Sequence, residues 1–421
     1  MGHPRRQVPP ESLNDALLIF APKGDVSEPF LVKAPADTRP LALTNSDSKL
    51  MASVMTSCES DAVTKSTVDC QRGFVRNRNF VNNVVEIETA AVIYDLEQPA
   101  ARTPATTPCI VTWDFAAAFP SIQHEWIRRT MSVRGFPEEQ ITFFNAMNYN
   151  AHAFTHTNHG SVKLFPITAG VPQGCPASGS KYTIAADPPL RALQEQIGDQ
   201  GKLAACADDT AAALRSPTVL RPLVGTFTTI HNATGLNLKP QKCNIVPIFG
   251  KNPQEPRRFR QWLIREAPDW RNFRIARHAT YLGFEIGPGA ALKSWTGPVN
   301  KWHKRTEQIA ATGAGPAAAG ILYSTRAATT LSYVAQLLPI PVPALKSEKK
   351  YLHRLLHLAN NSFPLEAFFH WHFAGGPKVP SIETTTVAAR VRFAVEQRHV
   401  WHPWLRELQS AIQEFGGGSA L

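Results

Sequence analysis

The sequence predicts an α+β fold, with hairpins and short strands interleaved with helices and a helical C-terminal part. Three stretches carry that prediction. Ile110-Val-Thr-Trp-Asp-Phe is an apolar, β-branched run that ends in a carboxylate, Asp114, and so reads as a strand delivering an acid to its end. Leu203 to Leu214 sets two short apolar arms about Asp208-Asp209, which reads as a hairpin with adjacent carboxylates at its tip. From about residue 291 the apolar positions Trp302, Leu322, Tyr323, Leu331, Val334 and Leu337 mark helices, broken at Gly313–Gly320 and at the Pro339–Pro343 cluster. Asp is also ordinary turn chemistry. Two acidic strand ends in one fold could nevertheless hold a pair of divalent cations, as an in-line phosphoryl displacement requires.

Bulk composition narrows the classes. A chain of 421 residues, 43% apolar, is long enough for two or three packed subdomains. A formal charge of +11 favours a polyanionic partner. The cysteines (Cys58, Cys70, Cys109, Cys175, Cys206 and Cys243) form no Cys-x-x-Cys pair, which points to a reducing compartment rather than a zinc module or a disulfide frame. No apolar run reaches the roughly 18 residues of a membrane span. Met-Gly-His-Pro-Arg-Arg is not a signal peptide.

Three motifs occur in order: Asp-Phe-x-x-Ala-Phe at 114–119, Gly-Val-Pro-Gln-Gly-Cys-Pro-x-Ser at 170–178 and Ala-Asp-Asp at 207–209. Together they resemble the palm motifs of reverse transcriptases, specifically those of non-LTR (LINE-like) retrotransposons. The resemblance implies a right-hand polymerase, with fingers and palm, including an antiparallel palm sheet, over 16–290 and a helical thumb over 291–412; the polar residues 1–15 read as a disordered N-terminus and 413–421 as a flexible tail.

In chain order, Leu17–Phe20 is strand-like and runs into a turn with Lys23. Thr38-Arg-Pro-Leu is similar to the family's fingers strand and precedes a helix starting near Ser46 or Asp47. The resemblance gives Lys23 and Arg39 to the incoming triphosphate; as residue types they are also ordinary surface cations. Gln71-Arg-Gly-Phe-Val-Arg-Asn-Arg78 resembles a family loop whose cations Arg72, Arg76 and Arg78 could track a template backbone. Residues 97–108 are a turn-rich connection.

Phe119 lies five residues after Asp114. The family sets an aromatic here under the sugar, where it excludes a 2′-hydroxyl; core is the commoner fate of a Phe. Ser121 is expected to cap a helix with Ile122, Trp126, Ile127 and Met131 inside, ended by Gly135 and Pro137. Residues 150–169 read as a hairpin rather than a helix, so the spacing of four between His152 and His156 does not place them on one helical face, and His159 sits in the turn. In the loop at 170–180, Gln173 offers an amide and Gly174 a shaped backbone to the nucleotide. Pro188-Pro189 is expected to bend the following helix. Cys206 replaces the family's tyrosine before Ala-Asp-Asp. Lys242, in Gly235-Leu-Asn-Leu-Lys-Pro-Gln-Lys, matches a motif lysine that could neutralise pyrophosphate; an exposed turn lysine is the alternative.

Arginines and aromatics alternate over 251–278, a mixture that suits nucleic-acid stacking or a charged helix packed by its own rings. Tyr281-Leu282-Gly283 matches a hairpin that grips the primer in the family. Ser347–Ala359 is amphipathic, with Tyr351, Leu352, Leu355, Leu356 and Leu358 inward and Lys349, Lys350, His353 and Arg354 outward.

The resemblance implies a nucleotidyltransferase, an RNA-directed DNA polymerase, in which Asp114, Asp208 and Asp209 hold two Mg²⁺ ions (Mn²⁺ could replace them). RNA template, DNA primer and dNTPs are the implied partners, with no membrane, in an intracellular setting, nucleus or cytoplasm. The endonuclease and cysteine/histidine module of full elements are not visible, so a polymerase core, a fragment or a decayed copy is implied. The rival from another class is a non-catalytic nucleic-acid-binding remnant, for which Cys206 and Pro188-Pro189 speak.

Overall fold

The computed structural model describes residues 9–10, 12–24, 33–34, 37–98, 102–248, 255–359, 362 and 364–415. The chain divides into two compact units, one of residues 1–87 and 98–275, the other of residues 88–97 and 276–421. The division after Ile275 differs from the boundary near 290 expected from the sequence.

The first unit opens with β1 (Ala16–Pro22) and β2 (Thr38–Thr44), antiparallel, then α1 (Ser46–Ser66) and the start of α2 (Asn82–Leu96). β3 (Cys109–Trp113) follows, then α3 (Ala118–Ser121), α4 (His124–Val133) and α5 (Glu138–Asn148), the last not anticipated from the sequence. The hairpin β4 (His152–Thr157) and β5 (Gly160–Pro166) completes a four-stranded sheet in the order β2-β1-β4-β5. Next come α6 (Ser178–Ile197), the hairpin β6 (Gly201–Cys206) and β7 (Asp209–Leu214), α7 (Leu220–Thr234), β8 (Asn244–Pro247), α8 (Glu255–Glu266) and the short β9 (Arg274–Ile275). These build a five-stranded sheet, β6-β7-β3-β8-β9, antiparallel apart from the parallel β8–β9 pair. Ala211, Ala212 and Ala213 of β7 are fully buried between neighbours. Alanine is a poor strand former, but burial on a central strand overrides local preference.

Several expectations are corrected here. Ser121 ends α3 rather than capping a long helix. Ile122 is extended (φ −67°, ψ 128°) and its carbonyl accepts the Gly170 N–H at 2.7 Å, so the break lets the chain pair with the 170–174 loop. The double proline does not interrupt α6, which is continuous through Pro188 and Pro189. Pro189 cannot supply an N–H to the Ala185 carbonyl four residues back; the Trp126 indole N–H does so instead, at 2.8 Å. Residues 12–15 are tied down, not frayed: the Asn14 amide donates to the carbonyls of Ala146 (2.7 Å) and Tyr149 (2.8 Å). The rest of the 1–15 expectation falls largely outside the described residues. In the 255–275 stretch Phe259, Trp262, Trp270 and Phe273 are buried in the core of the first unit, with Trp270 and Phe273 stacked 4.7 Å apart. They are packing, not a stacking platform for bases.

The second unit contains most of α2, the hairpin β10 (Ala279–Tyr281) and β11 (Phe284–Ile286), then α9 (Thr296–Ala311), α10 (Pro316–Leu322), α11 (Val342–Leu355), α12 (Leu365–His370) and α13 (Ile382–Phe415). Trp302, Tyr323, Leu331, Leu352, Leu355 and Phe368 are fully buried. His353, expected outside, is buried too, packed edge-on against Phe368 at 5.1 Å. α13 continues to Phe415, into the expected tail; Gly416–Leu421 lie outside the described residues. Among the described residues no helix is long and apolar enough to cross a membrane.

Glu348 supports the start of α13. Its Oε1 accepts the Ile382 N–H at 2.7 Å. Burial pushes its carboxyl up to about 7, partly offset by that bond. The folded unit thus keeps a proton that the unfolded chain releases, and its stability declines as pH rises through the window from 4.5 to about 7. Glu348→Gln keeps the acceptor and removes the buried charge, so its melting temperature should match the parent at pH 5 and exceed it at pH 8. Parallel pH curves for the two proteins would discard this assignment.

Candidate active site

The three aspartates are placed by strand register. Trp113 pairs with Thr210 across β3 and β7, so Asp114 and Asp209 are the next positions on those two strands. Cys206 pairs with Asp209, leaving Ala207-Asp208 as the two-residue turn between β6 and β7. Asp114 is fixed on both sides by backbone bonds: its carbonyl accepts from Lys239 N–H (2.8 Å), and Ala116 N–H donates to Asn237 O (2.7 Å). The Asp114 N–H faces the Cys243 sulfur at 3.4 Å.

The electrostatics show mutual repulsion. Burial, then Asp114, pushes the Asp208 carboxyl up. Asp209 keeps solvent contact yet is pushed up to about 6 by lost hydration, then by Asp208 and Asp114. Among the described residues, none of the three has an ion-pair partner, and no cluster of three His, Cys, Asp or Glu side chains is assembled closely enough to enclose a metal ion. An acidic pair raised in pKa and left without a cation is what a divalent ion would relieve. Mg²⁺ fits these hard oxygen donors, because it is commonly held by one or two carboxylates plus substrate phosphates rather than by an all-protein cage.

Phe119 stands beside this site. Its ring stacks on Tyr182 (4.4 Å, 6° between planes) and meets Phe74 edge-on at 6.0 Å. Tyr182 is fully buried, and its hydroxyl is held well above the usual phenol range by burial, then by Asp208 and Asp209. It was not singled out from the sequence; its position one helical turn after Ser178 was the available signal. Phe74 is exposed at φ 56°. On the other side, the Gln173 carbonyl accepts the Ala42 N–H at 2.8 Å, joining the 170–174 loop to β2. Gly174 has φ 117°, and a Cβ there would lie 2.9 Å from the Ala42 carbonyl oxygen, so the close approach calls for glycine. An open groove of about 320 Å³ lies here, lined by Leu18, Pro40, Ala42, Pro120, Phe165 and Gln173 among others.

The other candidates scatter. Lys23 and Arg39 are exposed at the far end of the β1–β2 ladder, where Arg39 pairs with Ala21. Arg39 lies three positions before Ala42 along the strand, roughly 10 Å. Lys242 is exposed on the turn ahead of β8. Two of the three loop arginines are not free to track a template. Arg72 is 11% exposed and bonded to Glu86 (2.7 Å) and Asn83 (2.6 Å). Arg78 donates to the carbonyls of Val68, Gln71, Thr64 and Thr67. Both hold the loop together, and Arg76 is the exposed member of the trio. In the second unit Tyr281 is buried, and the turn Leu282-Gly283 has φ 48° and 78°. The Leu282 carbonyl accepts the Tyr333 hydroxyl, so the hairpin is braced and presents its turn, not its tyrosine ring.

Comparison with known proteins agrees with this geometry. The family described as "Reverse transcriptase (RNA-dependent DNA polymerase)" matches residues 22–286. The transposon TX1 uncharacterized 149 kDa protein of Xenopus laevis is 26% identical over 189 residues, 45% of this chain and 14% of its own length. The retrovirus-related Pol polyprotein from the type-2 retrotransposable element R2DM of Drosophila melanogaster is 24% identical over 251 residues, 58% of this chain and 22% of its own length. The chain therefore spans less than a quarter of these curated relatives. Apo telomerase from Candida tropicalis superposes with a TM-score of 0.50 at 8% identity, covering 99% of this chain and 69% of that one. The same telomerase in complex with a TWJ fragment of telomeric RNA gives 0.51 at 9%, covering 97% and 63%. At such identity these structures speak for the fold, a right-hand polymerase. With its family match over more than half its length, the chain belongs to the reverse transcriptase family.

Proposed function

We propose that this chain is an active RNA-directed DNA polymerase, adding deoxynucleotides to a primer 3′-hydroxyl on an RNA template inside the cell, in nucleus or cytoplasm. The observation that carries this reading is the convergence of Asp114 with Asp208-Asp209 at the end of the β3–β7–β6 ladder, unpaired by any cation among the described residues. Asp114, Asp208 and Asp209 would hold Mg²⁺, or Mn²⁺ in its place. Bound there, the metal supplies Lewis-acid activation of the hydroxyl and charge neutralisation at the phosphates.

The chain's own groups take the remaining tasks. Phe119, its ring held by Tyr182, bounds the sugar. Gln173 lines the nucleotide's side of the groove with Gly174 next to it in the loop, and the exposed cations Lys23 and Arg39 draw in its triphosphate. Lys242 neutralises departing pyrophosphate. Arg76 contacts template phosphate, and the Leu282-Gly283 turn supports the primer. The helical second unit acts as the thumb that holds the duplex. Cys206 pairs with Asp209 in the β6–β7 register, which supports the reading that the departure from the family's tyrosine leaves the carboxylates seated.

Metal removal tests this reading. Extension of a DNA primer on an RNA template should proceed in Mg²⁺, stop with EDTA and resume when Mg²⁺ or Mn²⁺ is restored. Extension that persists in EDTA would rule it out.

A further inference from the structure

We propose that Gln71 is a positioning residue for the acidic turn, a side-chain clamp that fixes the backbone on which Asp208 and Asp209 sit. Its purpose rests on the polymerase reading above; its geometry does not. Gln71 has no exposed surface. Its Oε1 accepts the Ala207 N–H at 2.8 Å and the Gly73 N–H at 2.8 Å, and its Nε2 donates to the Ala207 carbonyl at 3.2 Å. One amide thus occupies both backbone polar groups of the residue directly before Asp208. Asn and Gln carry donor and acceptor on one such planar amide, and Gln has the longer reach.

The turn calls for such a clamp. Ala207 has φ 56°, a left-handed conformation that a residue with a Cβ does not favour. Hairpin turns usually place Gly, Asn or Asp in that region. The backbone on either side of Gln71 reinforces the grip: Ala205 N–H donates to Cys70 O, and Arg72 N–H to Ala205 O, both at 2.8 Å. Gly73 lies so close that a Cβ there would sit 2.3 Å from the Ala207 nitrogen. Arg78 in turn bonds the Gln71 carbonyl at 2.8 Å, so the strap itself is held. The acidic turn is therefore shaped by a side chain 136 positions away in sequence.

Gln71→Met keeps length and volume and removes all three bonds. With a reacting group displaced by about 1 Å, kcat for nucleotide incorporation should fall on the order of 100-fold. The Mg²⁺ concentration for half-maximal rate should rise, while nucleotide KM and duplex affinity stay at parent values. A role in general packing would lower the melting temperature without that split. Parent kcat and parent Mg²⁺ dependence in a folded Gln71→Met chain overturn the proposal.

Amide hydrogen exchange in the parent chain supplies an arm independent of activity. The Ala207 amide, although in a turn, should be protected to the level of β6, and it should exchange faster in Gln71→Met. Rapid exchange of Ala207 in the parent overturns the clamp whatever the activity. Protection of Ala207 in a parent that polymerises nothing would support the clamp and count against the polymerase reading instead.

Discussion

Asp114→Asn should reduce primer extension by about 10³-fold or more, because losing a metal-holding carboxylate forfeits several kcal/mol of transition-state stabilisation and each 1.36 kcal/mol is tenfold. Affinity for a primer–template duplex should be unchanged or slightly tighter, since phosphate contacts come from Lys and Arg and a nearby negative charge has been removed. Asp114 lies at the end of β3 with its backbone bonded to the 237–239 segment, and the amide is isosteric, so the fold should be retained. Rate and duplex affinity measured on one preparation decide the matter. Full activity in a folded Asp114→Asn chain would remove Asp114 from the site.

The second large effect is on stability and sits behind the site. Asp187 on α6 is fully buried and is surrounded by donors: Arg134, Arg191 at 2.7 Å and the Val68 N–H at 2.6 Å. Arg134 and Arg191 also donate to the Ser66 carbonyl, so one carboxylate organises the end of α1, the start of the 67–73 strap and α4. Asp187→Ala leaves two guanidiniums and a buried N–H short of an acceptor. Breaking a buried pair by removing one partner typically costs about 3–5 kcal/mol. Denaturant unfolding of the chain should show a loss of that order, whereas an exposed pair such as Arg76 with Asp61 should contribute on the order of 1 kcal/mol or less. A loss for Asp187→Ala no larger than that of the exposed pair would show that the network carries no special weight.

How much was legible in the sequence follows from what is local. The Asp114 strand and the acidic turn are each written in a few adjacent residues, where apolar pattern and turn chemistry act, whereas the alanine-rich arms and the Leu282-Gly283 turn were legible through short family motifs. The glycine at 174 is legible for the same reason. What failed depends on distant partners. Arg72 and Arg78 look like surface cations until Glu86 and the carbonyls of residues 64–71 are brought to them. The aromatics from Phe259 to Phe273 have the same composition whether they stack on bases or fill a core, and only the first unit's core settles it. The break at Ile122 becomes intelligible only with its distant partner, the Gly170 N–H that its carbonyl accepts. Gln71 opens the Gln-Arg-Gly-Phe loop, but its partner lies 136 residues away, beyond any periodicity. His353 fell on the polar side of an amphipathic pattern and is buried all the same against Phe368.

The aspartates at the ends of β3, β6 and β7 are expected to make this chain an RNA-directed DNA polymerase. Primer extension under single-turnover conditions tests it most directly, with an RNA template, a DNA primer, dNTPs and Mg²⁺, comparing the parent with Asp208→Ala/Asp209→Ala. The expected result is extension by the parent and none by the double variant, with both binding the duplex. No extension by a folded, duplex-bound parent, or equal extension by both proteins, would contradict it.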